Sequence, residues 1–280
     1  MDKEVKNIAG TRRGWDNATL IARQDLTGDS AIFKIEADAP LFEFLSGQYT
    51  TIGLPANAPR VEGADPDENA NGNPRKLIIR AYSIASSSKA RDYVELYITL
   101  VNSGSLTPRL WMLQPGDRLW LGPKAKGLFT LEGVPADCDV VLLGTGTGLA
   151  PYISMIRAYH QCNIGRRFVV IHGARYVRDL GYRDELDALQ RDCTTMVYLP
   201  TVSRPEEESD WQGHVGRVGS VVADSTLERA LDGAFSPKTT HVFVSGNPEM
   251  VEDMERVFIE RGFTLHSARS PGTMHIERYW

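Results

Sequence analysis

Apolar positions follow one rhythm in the first half of the chain and another in the second. Between Ala18 and about Thr130 they fall in short runs (residues 19–23, 31–36, 49–54, 77–83, 94–100 and 118–121) that are rich in β-branched and aromatic side chains and end at Gly, Pro, Asp or Ser. Short strands at regular turn spacing predict a closed or sandwich-like antiparallel domain. After residues 133–137 the runs become uninterrupted and alternate with helical patterns. Strands at 139–143, 167–172, 196–202 and 241–246 are followed by helices reaching about His160, at 184–191, at 225–231, and from Pro248 to just before Gly262, with Asn247 as the last helix's cap. Wholly apolar strands alternating with helices specify a parallel sheet covered on both faces. The boundary is expected near residue 134.

Two stretches depart from these patterns. Residues 55–76, rich in Asn, Pro, Gly, Asp and Glu, are expected to form a long, mobile insertion. Residues 106–113 form a short helical pattern ended by Gln114-Pro115-Gly116-Asp117; Thr107 suits its cap and Pro108 its first turn. Its start can offer N–H groups to an anion, and it can equally be a connector closing the barrel.

The chemistry concentrates where the apolar run 140–143 breaks into Gly144-Thr145-Gly146-Thr147-Gly148 and then into a helix. A buried strand that ends in glycines and feeds a helix gathers free backbone N–H groups and the positive end of the helix dipole, so a phosphate is expected there. The G-x-G-x-x-G fingerprint is incomplete, because Leu149 stands in the third glycine position. Ligands of such sheets bind outside the carboxyl ends of the strands. At those ends stand Gly173-Ala174-Arg175, Val202-Ser203-Arg204 and Ser245-Gly246-Asn247-Pro248, with Arg217 close behind. Arginine rather than an acid at this rim suits a ribose 2′-phosphate, which favours NADP(H) over NAD(H).

Composition narrows the classes. A chain of 280 residues accommodates two domains, and with 42% hydrophobic and 24% charged residues and no apolar run of about 18 it is expected to be soluble, without a membrane span. The start lacks a secretory pattern, so a cytoplasmic location is expected. A net charge of −5 argues against nucleic acid as a partner. Cys138, Cys162 and Cys193 are far apart and form no C-x-x-C pair, and the six histidines are scattered. A disulfide framework, a zinc site, an iron–sulfur cluster or another metal site is therefore not expected, and the cysteines read as small core or surface residues.

Arg80-Ala81-Tyr82-Ser83, Gly104-Ser105-Leu106-Thr107, residues 144–151, Gly246-Asn247-Pro248 and the ending Glu277-Arg278-Tyr279-Trp280, in this order, resemble the ferredoxin–NADP reductase superfamily. The ending is similar to that of its bacterial members. The resemblance implies a two-domain protein, with an N-terminal extension 1–17, an FAD-binding antiparallel β-barrel at 18–133 and an NADP-binding Rossmann-like α/β domain at 134–280 whose aromatic tail returns to the flavin. On the flavin side it implies Arg80 on the pyrophosphate, Tyr82 against the ring, Ser83 at its reactive edge, Ala81 as a further contact, and Tyr97, Ile98 and Thr99 lining it. Ser105, Leu106 and Thr107 would hold its phosphates, with Thr147, Tyr279 and Trp280 also in contact. On the nucleotide side it implies Thr145, Gly146 and Thr147 beneath the pyrophosphate and near the nicotinamide, Ala174, Arg175, Ser203, Arg204 and Arg217 around the 2′-phosphate, and Gly246, Asn247 and Pro248 as further NADP contacts. Ser83, Ser245 and Glu277 would form the hydride-transfer site. Ser245 stands where many members carry cysteine, and the insertion at 55–76 is longer than expected for the bacterial type.

The implied activity is hydride transfer between NADP(H) and FAD and single-electron exchange with a separate ferredoxin or flavodoxin, by a monomer. Those carriers are generally acidic, so Lys and Arg are expected around the flavin edge. Two rivals stay open: an NADPH-dependent reductase of free flavin or another acceptor, and a dinucleotide-sensing subunit without turnover.

Overall fold

The computed structural model describes residues 14–67, 73–205, 210–233 and 235–278. Six antiparallel strands, β1 (Ala18–Asp25), β2 (Ser30–Ala37), β3 (Tyr49–Pro55), β4 (Leu77–Ser83), β5 (Val94–Thr99) and β6 (Arg118–Leu121), form one sheet in the order β4-β3-β6-β1-β2-β5. A bridge between Ile84 and Leu96 brings its two edges together, as a barrel requires. Inward residues from alternating positions, among them Leu20, Phe33, Ile35, Ile52, Leu96 and Leu119, fill the interior. The short helix α1 (Thr107–Leu110) adds Leu106 and Leu110 to that core and so closes one end of the barrel.

The second sheet is parallel, in the order β10-β9-β8-β7-β11-β12. Its strands are β7 (Asp139–Thr145), β8 (Phe168–Ala174), β9 (Met196–Val202), β10 (His214–Val215), β11 (Thr240–Gly246) and β12 (Met274–Arg278). Strand alternation divides its side chains between two cores. Val140, Leu142, Phe168, Val170 and Phe243 pack under α2 (Ala150–Tyr159) and α3 (Arg183–Asp192). Val141, Leu143, Val169, Ile171 and Val244 pack under α4 (Val218–Ala223), α5 (Thr226–Ala230) and α6 (Pro248–Glu260). Chain order reverses direction between β7 and β11, which creates the crevice where ligands of this topology bind. Among the described residues no helix is long and apolar enough to cross a membrane.

Three expectations are corrected, and the tail adds a strand that the sequence did not announce. Cys162 and Cys193 form a disulfide, because the turn after α2 and the end of α3 meet at one end of the sheet, with Cα atoms 4.9 Å apart despite 31 residues of separation; Cys138 is buried and free. The insertion is tied down over its described part rather than loose: Val61 N–H donates to Pro108 O and Asp65 N–H to Asn102 O, and the buried Asp67 carboxylate pairs with the buried Arg109 at 2.7 Å. Thr107 does not cap α1; Leu106 holds that position, and the Thr107 hydroxyl is turned back onto the N–H and carbonyl of Val101. The tail forms β12, an edge strand whose alternating His and Glu concealed it. Asn247 caps α6 as expected, accepting from the N–H groups of Glu249 and Met250.

Candidate functional site

A cleft of about 610 Å³ opens between the barrel and the carboxyl ends of the parallel strands. Its floor is the turn after β7, a single 3-10 turn over residues 146–149 that runs directly into α2. Two glycines make this turn possible. A Cβ on Gly148 would lie 2.6 Å from the Ser245 carbonyl oxygen, so only glycine lets the turn pass over the end of β11. Gly246 has a φ of +132°, which sends the chain back toward Thr145, and the Asn247 N–H then reaches the Thr145 hydroxyl at 3.3 Å. Gly146, by contrast, faces open space. Tyr152 of α2 braces the floor from below: its hydroxyl lies 2.8 Å from Leu143 O and 3.0 Å from Phe243 O, donating to one at a time.

One wall carries Ala174 and Arg175 after β8, Ser203 and Arg204 after β9, and Arg217 before α4. Main-chain bonds from Ser203 N to Ala174 O and from Arg204 N to Arg175 O hold the two strand ends together, which brings two of the arginines to one rim. All three arginines are exposed, and none makes an ion pair with a described residue. The barrel supplies the opposite wall through Tyr97 and Thr99 of β5. Burial pushes the Tyr97 phenol up to about 12, although the Ser30 side chain and the Gly181 backbone hydrogen-bond to it.

The cleft therefore unites Tyr97, Thr99, Thr145, Gly146, Thr147, Ala174, Arg175, Ser203, Arg204, Arg217, Gly246 and Asn247. Pro248 lies just outside it, as the first residue of α6. Ser30, Asp29, Asp179 and Asp253 also line it, unforeseen in the sequence. No local signal marks them. Ser30 reaches the cleft only because β2 pairs with β5, opposite Thr99.

A second cluster lies on β4. This edge strand presents Arg80 and Ala81 to the outside, with Tyr82 half-buried and Ser83 buried at its end. The Arg80 guanidinium donates to Ile79 O and makes no ion pair with a described residue. Desolvation by burial holds the Tyr82 phenol well above its ordinary range. From the other domain, β12 brings Glu277 up beside β11, in register with Ser245, and the Ser83 hydroxyl donates to Glu277 Oε2 at 3.3 Å. The Ser245 hydroxyl is wholly buried and has no hydrogen-bond partner among the described residues. Tyr279 and Trp280 lie outside the described residues.

The third cluster is the turn before α1. Ile98 and Leu106 are buried in the barrel core, so they can meet a ligand only through their backbone. Ser105 donates its hydroxyl to Asp67 at 3.2 Å, and Arg109 donates to the Ser105 carbonyl. The Thr107 hydroxyl is already satisfied by Val101, which leaves main-chain N–H groups as the donors an anion would meet there.

Two families match this chain, an oxidoreductase FAD-binding domain over residues 69–127 and an oxidoreductase NAD-binding domain over residues 142–256. The flavodoxin/ferredoxin–NADP reductase of Shigella flexneri is 32% identical over 252 residues, covering 89% of this chain and 93% of the relative. Ferredoxin–NADP reductase B of Sorangium cellulosum is 34% identical over 245 residues, covering 87% and 88%. Among solved structures, a ferredoxin NADP⁺ reductase from Neisseria gonorrhoeae with bound FAD and NADP matches with a TM-score of 0.75 at 24% identity, over 94% of this chain and 97% of that one.

Proposed function

The chain belongs to the flavodoxin/ferredoxin–NADP reductase family, and we propose that its cleft and the outer face of β4 together carry hydride exchange with NADP(H) and electron exchange with a small carrier protein. The protein is an oxidoreductase that works with FAD and NADP(H). When bound, FAD supplies the two-electron to one-electron conversion that no side chain can perform.

The residues present fit both groups. Gly146 leaves an open floor where a side chain would stand, three arginines without ion pairs line one rim, and an unpartnered hydroxyl is buried at Ser245. These features suit a dinucleotide with a 2′-phosphate and a carboxamide. On the barrel, Arg80 without an ion partner, the flat face of Tyr82 and the turn before α1 suit a flavin with its pyrophosphate. In this reading residues 18–133 hold the flavin and 134–280 hold the nucleotide. Ser83 and Glu277 act at the meeting point, where the hydroxyl–carboxylate pair orients the reacting edges and holds a proton at the Glu277 oxygen.

The single observation that carries this reading is the Ser83–Glu277 contact, which joins the flavin-type strand to the nucleotide-type sheet beside Ser245. The electron partner is proposed to be an acidic ferredoxin or flavodoxin. Tyr49 pairs with Ser83 on one side and receives Lys126 on the other, so the exposed Lys124, Lys126 and Leu128 lie one strand from Ser83. A basic rim with one apolar side chain suits such a carrier. A cytoplasmic monomer is the setting this activity implies. The test is the absorption spectrum of the purified protein, before and after NADPH without oxygen. A flavin spectrum that bleaches supports the reading, and a colourless or unresponsive protein overturns it. Comparing ferredoxin, flavodoxin and free flavin as acceptors identifies the partner.

A further inference from the structure

One junction between the two sheets lies behind the cleft and belongs to neither proposed cofactor seat. Glu95 of β5 is buried, its side chain 3% exposed, and it receives three groups. Arg157 of α2 donates to its Oε1 at 2.7 Å, the Tyr182 hydroxyl donates to the same oxygen at 2.8 Å, and Lys34 stands 3.7 Å from Oε2. Arg157 is itself held from the far side by a two-pronged pair with Glu185 of α3, both contacts at 2.8 Å, and it also reaches Ala85 O of the barrel. Beside it the Ser154 hydroxyl donates to Ser86 O at 2.6 Å.

Tyr182 is the unusual member. It precedes α3 with a φ of 59°, the left-handed region that residues with a Cβ seldom occupy. That conformation swings its ring against the outer side of β5, edge-on to Tyr97 at 5.5 Å and under the Arg157 guanidinium at 5.3 Å. Gly181, immediately before it, lies so close that a Cβ there would be 2.6 Å from the Tyr97 hydroxyl. Tyr97 is part of the barrel's wall of the cleft. The other end of α2 leads directly out of the glycine turn, and Arg157 lies about 10 Å along the helix from its first residue. A rigid helix thus joins the floor of the nucleotide cleft to the Glu95 hub, and the same hub sets the ring that faces the floor.

We propose that Tyr182, with Glu95 and Arg157, is the positioning device that sets the angle between the two domains and thereby the approach of nicotinamide to flavin, while touching neither. This rests on the function proposed above. A displacement of the order of an ångström between reacting groups suffices to lower a rate substantially, so loss of the hub is felt in the chemical step more than in nucleotide affinity.

The experiment uses the flavin-loaded full chain with the variants Tyr182→Phe, which removes only the hydroxyl donated to Glu95, and Glu95→Gln. Arg118→Gln is the control, since Arg118 pairs with Asp16 and Asp38 within the barrel and away from the cleft. Anaerobic stopped-flow bleaching by NADPH is expected to slow on the order of tenfold at saturation in both hub variants, with half-saturating NADPH changed by less than about twofold. Amide hydrogen exchange over residues 94–99 and 150–159, measured without nucleotide, is expected to speed up several-fold. Arg118→Gln is expected to lower the melting temperature without either effect. Wild-type bleaching rates and exchange in the hub variants overturn the proposal. So does a rate loss in Arg118→Gln that tracks its loss of stability. A wild-type protein that NADPH does not bleach overturns the reading of function instead, and the positioning role for hydride transfer falls with it.

Discussion

Ser83, at the end of the barrel's edge strand, donates its hydroxyl to Glu277 on the last strand of the parallel sheet, 194 residues away. The two residues act as a unit if the hydroxyl's place depends on the carboxylate and the carboxylate's charge is balanced through the hydroxyl. Ser83→Ala and Glu277→Gln are each expected to slow flavin bleaching by NADPH about a hundredfold, the ordinary scale for a positioned proton-handling group. The double variant is expected to lose much less than the product of the two. Stopped-flow measurement of the four proteins decides it, and strict multiplicativity would show two independent roles.

The unpaired rim of Arg175, Arg204 and Arg217 predicts nucleotide preference. A charge-assisted bond to a phosphate is worth about 1.5–3 kcal/mol, which is roughly ten- to a hundredfold in affinity. Arg204→Ala is expected to raise KM for NADPH by that order while leaving kcat and the KM for NADH nearly unchanged. Steady-state kinetics with both nucleotides test this, and an equal loss for NADH would remove the 2′-phosphate from the rim.

Most of the architecture is legible in the hydrophobic pattern, because ten of the twelve strands among the described residues carry a run of β-rich or apolar residues that periodicity can detect. The two exceptions are the edge strands β10, only two residues long, and β12, where His275 and Glu277 interrupt the apolar run although His275 is buried. The cleft at the strand ends was legible for a related reason: parallel strands place their carboxyl ends together, so residues far apart in sequence share a rim. The flavin side was less so. The resemblance implied phosphate-holding residues at Ser105 and Thr107, yet side-chain direction decides a hydroxyl's partner, and Thr107 points back to Val101. Long-range pairings such as Asp67 with Arg109 and Cys162 with Cys193 leave no local trace at all.

Those pairings have measurable consequences. Asp67 and Arg109 have side chains only 3% and 2% exposed, and Arg60 adds a second cation 3.5 Å from Asp67. Removing one partner of a buried pair leaves the other charge desolvated, at a cost of about 3–5 kcal/mol. Asp67→Asn is expected to lose that much in urea unfolding, and Asp67→Leu with Arg109→Met to recover a good part of it. Because Arg109 and Asp67 also hold Ser105, the single variant is expected to release flavin faster in a fluorescence dilution assay.

The Cys162–Cys193 bridge closes a segment of 31 residues that includes β8 and the whole of α3. Restricting the unfolded chain over such a loop contributes about 3–4 kcal/mol. Cys162→Ser with Cys193→Ser is expected to lower the melting temperature by roughly 5–15 °C. The bridge lies at the opposite end of the parallel strands from the cleft, so the rate of flavin bleaching is expected to stay as in the unsubstituted protein. Calorimetry beside stopped-flow separates the two effects.

Buried histidines predict the acid limb of stability. His172 is wholly inside the sheet, its Nδ1 on the Tyr198 hydroxyl at 3.1 Å and its Nε2 without a partner among the described residues. His275 is sandwiched between Phe243 at 4.1 Å and His266 at 4.5 Å, with His241 3.1 Å from its Nε2. Burial lowers both imidazoles to about 3, with the neighbouring histidines adding to the effect at His275. The unfolded chain binds these protons near pH 6.5 and the folded chain does not, so the favoured state shifts toward unfolding as pH falls below 6.5. Above that value the neutral rings cost nothing. Each histidine is expected to remove about 1.4 kcal/mol of stability per pH unit between roughly pH 6 and 4, and to level off near 3. Carboxylates titrate in the lower part of this range, so the decisive quantity is a difference. Subtracting the urea-derived stability curve of His275→Gln from that of the wild type isolates one histidine, and a difference that stays flat from pH 6 to 4 would show that His275 is protonated in the folded protein.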